Sequence, residues 1–415
     1  MSATLKCLRC SYSVPLRIQD GYPYNCPECG WILDVSYGPG WPSRQAFEKC
    51  FASPGHLSSM WRYGSFLPIP GGEPEVTLHE GGTPLLQIDE LRATGTGIHV
   101  YIKDETRNST GSFKDRPVSL AVNYALRAGV KHLIVASNGN GAVATSAYAA
   151  RAAISATVLT PYASRSSSKL KQAWAYGGQV VLLDGNYNDV YRVTRDLAQC
   201  LPVVDVTTTY RSPIPTEANK TVAYEMYEQM KRDVPDWVLV PVSSGPLLWG
   251  IWKGYRELAD SGLTTKMPRM VAVQALGCDP IAQAYNQGLR EIQPCLNPQT
   301  VADGIADGLL HHEADGAQTL AAIYASGGAA LAVPDPDILA AMGELARRAG
   351  VFAEPTGAIP LSGLRQLEER GLLKSDESVV LVVTGHGLKR PDALGEPEWT
   401  VVPSRLDAVR DYLHI

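Results

Sequence analysis

The chain has 415 residues, of which 45% are hydrophobic and 19% charged, with 38 glycines and 29 prolines. This length and composition predict a globular protein of two or three domains with a large core. The net charge of -5 gives no general attraction to nucleic acid or to anionic membranes. Because no apolar run approaches the roughly 20 residues that span a bilayer, and MSATLKCLRC lacks the apolar core of a secretory signal, we expect a cytoplasmic protein.

The first recognisable element is a four-cysteine segment. Cys7, Cys10, Cys26 and Cys29 form two C-x2-C pairs with fifteen residues between them. Two tight knuckles at this spacing present four thiolates tetrahedrally to zinc, and disulfides are the weaker explanation in a cytosolic setting. Four sulfur ligands leave no open coordination position, so we predict a structural zinc ribbon over residues 1–35. Knuckles that bind no metal are the alternative.

Strand and helix signals follow a connecting arm. Residues 36–76 are rich in glycine, proline and aromatic residues, and they predict an arm with one short helix. From about residue 98, short apolar runs typical of buried parallel strands alternate with helical stretches. This alternation predicts an α/β fold with mostly parallel sheets. The predicted strands are HVYIKD (99–104), HLIVAS (132–137), SATVLTP (155–161), QVVLLDG (179–185), WVLVPVSS (237–244), MVAVQALG (270–277) and SVVLVVTG (378–385).

Glycine and small polar residues follow three of these strands, in VASNGNGAVA, VPVSSGPLLWG and VVTGHGLK. In open α/β sheets ligands bind outside the carboxyl ends of the strands, where backbone N–H groups and a helix N-terminus attract an anion. Neither G-x-x-x-x-G-K-[ST] nor a G-x-G-x-x-G after the first strand is present. The loops therefore favour a phosphorylated ligand other than a nucleotide.

Lys114 lies in NSTGSFKDRP, residues 108–117, a polar turn ahead of a helix-like stretch. A lone lysine in such a turn is ordinarily a solvated surface residue. The other interpretation is an amine that bonds covalently to an aldehyde cofactor. Pyridoxal phosphate carries both an aldehyde and a phosphate, so it requires anion-binding loops close to its lysine.

These segments together resemble the threonine synthases among the fold type II pyridoxal-phosphate enzymes. The resemblance implies a fold like that of the tryptophan synthase β subunit, with two mostly parallel open sheets flanked by helices. The resemblance covers about residues 60 to 390, and some threonine synthases also have a four-cysteine ribbon. It implies a large cofactor-binding domain (36–117 and 226–415), a smaller mobile domain (118–225) and a homodimer. The matching segments, in the family's order, are MWRY (60–63), EGGTPLL (80–86), KDETRNSTGSFKDR (103–116), ASNGNGAVATSAYAARA from 136, EANKTVAYE from 217, VPVSSG from 240, VFAEPTGA from 351 and TGHGLK (384–389).

The resemblance implies roles for the residues around the cofactor. Lys114 would be the Schiff-base lysine and would later move protons as an acid and base, and Asn140 would hydrogen-bond the phenolic oxygen. Thr384 would face the pyridine nitrogen, and a neutral hydroxyl there suits elimination and replacement better than transamination. Glu354 would lie near the ring, unless it is only a carboxylate at a helix start. The cofactor phosphate would be cradled by Ser243, Ser244 and Gly245.

The substrate side departs from the family pattern. The loop that receives the substrate carboxylate is Ser137, Asn138 and Gly139, but its final threonine is missing. The arginine of the family segment N-P-x-R-x-E-G-x-K-T falls within 213–215, and Arg211 is the suggested substitute. Pro246 has no N–H to donate in the phosphate loop, where Leu247 also replaces an amide side chain. Threonine synthases hold the phosphate of their substrate, O-phosphohomoserine, with several polar groups. Since each hydrogen bond to a charged group contributes roughly 1.5–3 kcal/mol, this phosphate would need other polar partners here.

Two segments offer such partners. Arg165, Ser166, Ser167, Ser168 and Lys169 open a helix after a strand, and their alternative role is a capped, solvated helix start. ADGIADGLLHH, residues 302–312, is closer to the threonine dehydratases than to the threonine synthases. Its adjacent His311 and His312 are expected to be solvated rather than to act as acids or bases.

The sequence thus predicts an enzyme that eliminates a β or γ substituent, phosphate in the first place, from an O-phospho amino acid and adds water or another nucleophile. Its predicted partners are a small amino-acid substrate, with no nucleic acid and no membrane. The alternatives are a cysteate synthase-like β-replacement, a threonine or serine dehydratase-like β-elimination, and a binding protein without catalysis.

Overall fold

The computed structural model of the protein describes residues 3–38, 40–53, 59–396 and 398–414. Residues 1 and 2 of the predicted ribbon, and residues 39 and 54–58 of the predicted arm, lie outside the described residues. The strands are β1 Ala3–Cys7, β2 Ser13–Pro15, β3 Leu33–Tyr37, β4 Leu85–Gln87, β5 His99–Asp104, β6 His132–Ala136, β7 Ser155–Pro161, β8 Gln179–Leu183, β9 Val204–Asp205, β10 Trp237–Pro241, β11 Arg269–Ala275, β12 Ala329–Val333 and β13 Ser378–Val383.

The α-helices separate most of the strands along the chain. They are α1 Arg44–Ala52, α2 Asp115–Arg127, α3 Asn140–Arg151, α4 Ser168–Ala175, α5 Tyr187–Cys200, α6 Pro213–Gln229, α7 Pro246–Asp260, α8 Pro280–Asn286, α9 Glu313–Ser326, α10 Asp335–Glu344, α11 Pro355–Glu369 and α12 Leu406–Leu413. Among the described residues, none of these helices is both long and apolar enough to cross a membrane.

The large sheet has the strand order β12-β11-β10-β13-β5-β4, and every neighbouring pair is parallel except β4 with β5. Alternate residues of its strands enter different cores. Val238 and Val240 pack with α7 and α9, whereas Leu239 packs with α10 and α11 on the other face. Both faces are covered by helices, and this explains why these strands read as continuous apolar runs in the sequence.

The small sheet has the order β8-β7-β6-β9 and is parallel throughout. Its strands pack against α2, α3 and α4 on one face and against α5 on the other. Helix α6 follows this sheet in the chain, yet Val222 and Tyr224 belong to the core of the large sheet. The predicted domain boundary at residue 225 therefore falls within α6, and the division into domains stays a prediction.

A third sheet, of order β2-β1-β3, is antiparallel and contains the cysteine segment. Leu33 and Val35 of β3 share a buried cluster with Ile214 and Ala218 of α6. In the predicted arm, α1 is followed by a 3-10 helix at Met60–Phe66. The small antiparallel sheet thus packs directly on the body of the protein.

Candidate active site

The turn that carries Lys114 is bonded to the loop after β13. Phe113 N donates to Thr384 O at 2.9 Å, and His386 N donates to Gly111 O at 2.9 Å. Gly111 has a φ of 82°, where a side chain is strained, and a Cβ there would lie 3.2 Å from Lys389 Cε. Two loops far apart in the sequence are therefore held side by side at the carboxyl ends of β5 and β13.

The Lys114 amine points into a cavity between the two larger sheets, where Nζ donates to Thr208 Oγ1. Burial lowers the pKa of Lys114 to about 8, against the opposite effect of the Asp307 charge. An amine with this pKa is a better nucleophile and base near neutral pH than an exposed lysine.

All the predicted cofactor and substrate residues line this one cavity. They come from the carboxyl ends of strands in both sheets and from the N-termini of the helices that follow, as expected for open α/β sheets. They are Lys114, Ser137, Asn138, Gly139, Asn140, Ser243, Ser244, Gly245, Glu354 and Thr384.

Several buried polar atoms that line the cavity have no hydrogen-bond partner among the described residues. They are Asn140 Oδ1, Thr216 Oγ1, Asn219 Oδ1 and Thr384 Oγ1. A buried polar atom without a partner costs about 1–3 kcal/mol, so such a group is typical of a site that a ligand completes. The two hydroxyls fit pyridoxal phosphate, because its ring nitrogen and its phosphate oxygens can accept from them, whereas the two amide oxygens require a donor.

The loop from Ser243 to Gly245 leads directly into the 15-residue helix α7. Gly245 adopts a φ of 103°, and a Cβ at this position would overlap the side chain of Thr319. Thr319 Oγ1 donates to Ser244 O at 2.6 Å, and this hydrogen bond holds the loop in place. A helix N-terminus behind a glycine turn attracts an anion, so the loop is suited to a phosphate.

Glu354 and Lys169 form a buried network beside Asn140. Asn140 Nδ2 donates to Glu354 Oε1 at 2.5 Å, and Lys169 Nζ lies 2.7 Å from Glu354 Oε2 and 2.8 Å from Asp303 Oδ1. The Glu354 side chain makes no cap hydrogen bond to α11, so the alternative role of a helix-start carboxylate is not the observed one. Its carboxylate instead fixes the amide of Asn140.

Lys169 is only 1% exposed, so its side chain is buried and the alternative role of a solvated helix-start residue does not apply to it. Arg165 and Ser166 of the same segment are exposed, and the Ser168 hydroxyl donates to Lys389 O. Lys169 is thus the one member of this segment that is buried beside the predicted substrate loop, with its Cδ 3.7 Å from the position of a Cβ on Gly139.

Gly385 is the closest neighbour of the Asn140 and Glu354 pair. A Cβ there would overlap Glu354 Oε1 and lie 3.1 Å from Asn140 Nδ2. We expect Gly385→Ala to displace both side chains and to weaken cofactor binding by at least about tenfold. Titration of the cofactor-free protein, followed by visible absorption, measures this. Gly38→Ala is the control, because nothing lies within 4 Å of a Cβ at Gly38, and equal affinities in the two variants would contradict the assignment.

His312 is buried, so the expectation that both histidines are solvated is wrong for it. His312 Nε2 lies 3.1 Å from Asp307 Oδ2, and its ring centroid lies 4.8 Å from that of Tyr191. His311 is exposed, as expected. Burial by itself lowers the pKa of His312, but the charge of Asp307 outweighs burial and raises this pKa to about 9. Asp307 also lines the cavity.

The His312 ion pair predicts a pH dependence of stability. Below the ordinary pKa of 6.5 the histidine is protonated in both states and the stabilisation is complete, and it is lost as the pH rises through about 9. This shift corresponds to on the order of 3 kcal/mol. We expect the free energy of unfolding in urea to fall across this range and to fall less in His312→Gln. His311→Gln is the control, and identical slopes for His312→Gln and the unmodified protein would contradict the prediction.

Arg211 does not replace the family arginine at the cavity. It is buried, with Nη1 3.2 Å from Asp205 Oδ2 and its guanidinium 4.5 Å from the Tyr24 ring centroid. These contacts bind Arg211 to the end of β9 and to the cysteine segment, so the suggested substitution is wrong. The position expected for the arginine is occupied in part by Pro215, which lines the cavity.

Sequence reasoning did not single out several residues of the cavity. Thr208 bonds to Lys114 but has no motif of its own, and Thr216 directly precedes the family segment EANKTVAYE, within which Asn219 was not singled out. The segment ADGIADGLLHH was the available signal for Asp303 and Asp307, since it departs from the threonine synthase pattern.

The four cysteines of the small sheet form a cluster. Their sulfur atoms lie within 4.8 Å of one another, with Cys7 Sγ 3.5 Å from Cys29 Sγ and Cys10 Sγ 3.7 Å from Cys26 Sγ. Tetrahedral zinc at about 2.3 Å from each sulfur would place the sulfurs roughly 3.8 Å apart. The donor set and its spacing therefore fit a structural zinc ion.

Comparison with known proteins agrees with this geometry. Residues 76–385 match the family model described as "Pyridoxal-phosphate dependent enzyme". The chain is 37% identical over 412 residues to a threonine synthase of Methanosarcina acetivorans, covering 98% of each chain. It is 35% identical over 388 residues to a threonine synthase of Methanocaldococcus jannaschii, covering 94% of this chain and 93% of that protein.

Solved structures share the fold. The processed threonine deaminase isoform 2 of Solanum lycopersicum superposes with a TM-score of 0.64 at 20% identity, covering 91% of this chain and 98% of that one. A maize serine racemase gives a TM-score of 0.62 at 23% identity, covering 80% and 93%. These matches confirm the predicted α/β fold of type II.

Proposed function

The chain belongs to the family of pyridoxal-phosphate dependent enzymes, within its threonine synthase group, and on that premise we propose that it releases phosphate from an O-phospho amino acid and adds water. Threonine synthase-like elimination is the function predicted from the sequence, and the relatives confirm it at the level of the group. The observation that carries the proposal is that Lys114, Asn140 and Thr384 line one cavity, in which several buried polar atoms lack hydrogen-bond partners among the described residues.

The cofactor, when bound, withdraws electrons from the substrate carbons next to the amino group. Lys114 would hold the cofactor at its aldehyde carbon, and its amine, when released from that bond, would take and return protons at the substrate carbons. Thr208 orients this amine, since its hydroxyl contacts Nζ. The lowered pKa of Lys114, about 8, keeps both protonation states accessible near neutral pH.

The remaining cavity residues hold and orient the reactants. Asn140 is assigned to the phenolic oxygen and Thr384 to the pyridine nitrogen, where a hydroxyl does not force the ring to stay protonated. The loop from Ser243 to Gly245 would hold the cofactor phosphate at the start of α7. The loop from Ser137 to Gly139 ends at the N-terminus of α3, and the helix dipole there favours the substrate carboxylate.

Parallel assays of O-phosphohomoserine, O-phosphoserine and threonine with the cofactor-loaded protein test the proposal. Formation of threonine and phosphate in equal amounts from O-phosphohomoserine is the expected result. Release of phosphate from O-phosphoserine with an added nucleophile would instead indicate the cysteate synthase-like replacement. If neither phospho amino acid releases phosphate, the proposal is wrong.

One observation favours the dehydratase-like alternative. Three carboxylates line the cavity, those of Asp303, Asp307 and Glu354, whereas Lys114 is the one lysine or arginine among its described lining residues. These carboxylates are neutralised by neighbours such as Lys169 and leave little positive charge for a second phosphate. A substrate with an uncharged hydroxyl would suit this lining, and keto acid formation from threonine or serine would identify it.

We also propose that the four-cysteine cluster binds one structural zinc ion, and that the enzyme is a cytoplasmic homodimer. Metal analysis of the purified protein should find about one zinc per chain. Cys26→Ser should lower both the zinc content and the melting temperature, because Cys26 is buried at 2% exposure. The matched variant Cys200→Ser changes an exposed thiol outside the cluster and should change neither.

A further inference from the structure

Strand β3 of the cysteine segment reaches the body of the protein through three polar groups. Asp34 Oδ1 lies 2.8 Å from Lys253 Nζ, and Val35 O accepts from the same amine at 2.5 Å. The Tyr37 hydroxyl donates to Glu217 Oε2 at 2.5 Å and accepts from Lys220 Nζ at 3.1 Å. One side of this small sheet therefore ends in a polar contact with helices α6 and α7.

The partners on the two helices form a buried charge network. Glu217 of α6 pairs with Lys253 of α7 and, at 2.8 Å, with Lys220, which also lies 3.0 Å from Glu257 of α7. The side chains of Glu217 and Lys220 are at most 1% exposed. Burial by itself raises the pKa of Glu217, but the charges of Lys220 and Lys253 outweigh burial and hold this pKa below its usual value. Water does not screen these buried ion pairs. Removing one partner of a pair therefore displaces the charged side chains around it.

The same turns of α6 form the wall of the cavity. Thr216 directly precedes Glu217, and Asn219 lies half a turn further on; both line the cavity. Asn219 Nδ2 donates to Pro246 O at 3.2 Å, at the start of α7. A Cβ on Gly250 would come within 2.5 Å of Asn219 Cβ, so α6 and α7 approach closely here. A shift of α6 therefore alters the loop from Ser243 to Gly245.

We infer that β3 braces the cofactor site. Through Asp34 and Tyr37 it holds Glu217 and Lys253, and thereby fixes α6 against the N-terminus of α7, where the cofactor phosphate binds. Asp34 and Tyr37 are positioning residues in this arrangement, because neither lines the cavity. The cysteine segment then has a defined purpose, which is to set the affinity for the cofactor. This inference rests on the family's cofactor and does not depend on which amino acid is the substrate.

Two nearly isosteric variants of the full-length chain test the inference. Tyr37→Phe removes one hydroxyl and Asp34→Asn removes one charge, while the contacts between Glu217 and Lys253 stay in place. After removal of the cofactor, pyridoxal phosphate is titrated back and its dissociation constant is read from the visible absorption of the bound form. We expect each variant to raise this constant at least fivefold.

Glu377→Gln is the matched control. Glu377 accepts from Arg269 Nη1 at 2.9 Å and from Trp237 Nε1 at 2.8 Å, at the ends of β10 and β13 opposite the cavity. This variant should lower the melting temperature while leaving the cofactor dissociation constant within twofold of that of the unmodified protein. An equal rise of the dissociation constant in all three variants would mean that general destabilisation causes the effect, and it would contradict the inference.

Constants within twofold of the unmodified protein for both Tyr37→Phe and Asp34→Asn would overturn the inference. If Asp34→Asn fails to fold, Tyr37→Phe decides alone, since it keeps the ring and its packing. The readout is cofactor binding, so inactivity with every amino acid tested would count against the proposed function and leave this test unaffected.

Discussion

Replacing Lys114 with alanine should remove the visible absorption of the lysine-bound cofactor and lower turnover by about a thousandfold or more. The variant loses both the covalent bond to the aldehyde and the amine that moves protons at the substrate carbons. The fold should survive, because alanine is compatible with the first turn of α2 and the lost contact to Thr208 is a single hydrogen bond. Absorption spectra and single-turnover rates measure the two losses separately.

Lys131→Ala is the control for this variant. Lys131 is exposed at the start of β6, so its removal should leave the spectrum and the rate unchanged. A Lys114→Ala protein that keeps the absorption of a lysine-bound cofactor would show that another amine does the chemistry. Lys389 would then be the next residue to change, since burial lowers its pKa to about 8 as well.

Most strands of the two larger sheets were predictable, because a strand buried on both faces is an apolar run with distinct ends. All seven predicted runs form strands, although WVLVPVSS ends as a strand at Pro241 and continues as the loop before α7. β4 and β9 have only three and two residues, and β12 is the alanine-rich AALAV, which has little of the branched or aromatic character typical of strands. These three were missed for those reasons.

The meeting of the predicted cofactor residues at one cavity was predictable, because family motifs lie on loops that follow strands. The contacts between them were not. Thr208 reaches Lys114 from 94 positions away, and Glu354 fixes Asn140 across 214 positions. Local spacing carries no information about such pairs, since they depend on how the two larger sheets face each other.

Burial of charged groups was the other feature that the sequence concealed. His312 and Lys169 look like loop and helix-start residues, and such residues are ordinarily solvated. Each is buried because a carboxylate from a distant segment or neighbouring turn neutralises it, Asp307 for the histidine and Glu354 for the lysine. Predicting this would have required the partner to be known in advance.

Arg116→Met should be the most destabilising single change near the site. Arg116 is fully buried, two residues after Lys114, and its guanidinium bonds both oxygens of Glu105 and both oxygens of Glu225 at 2.6–2.7 Å. Lys103, 2.7 Å from Glu225, would remain as the only lysine or arginine whose ion pair with either carboxylate is described. Leaving buried charge without its partner costs about 3–5 kcal/mol, which urea unfolding would measure.

Arg107→Met provides the comparison, because Arg107 pairs with Asp104 in the same segment but its side chain is 65% exposed. Its loss should cost less than about 1 kcal/mol.

The network around Arg116 also predicts a loss of stability in acid. Although burial raises it, the pKa of Glu225 is lowered from 4.5 to about 2 by Arg116 and Lys103, so this stabilisation is present above pH 4.5 and is lost as the pH falls towards 2. Arg116→Met should lose less stability than the unmodified protein over that range, and equal losses in both would mean that Arg116 does not hold the charge of Glu225.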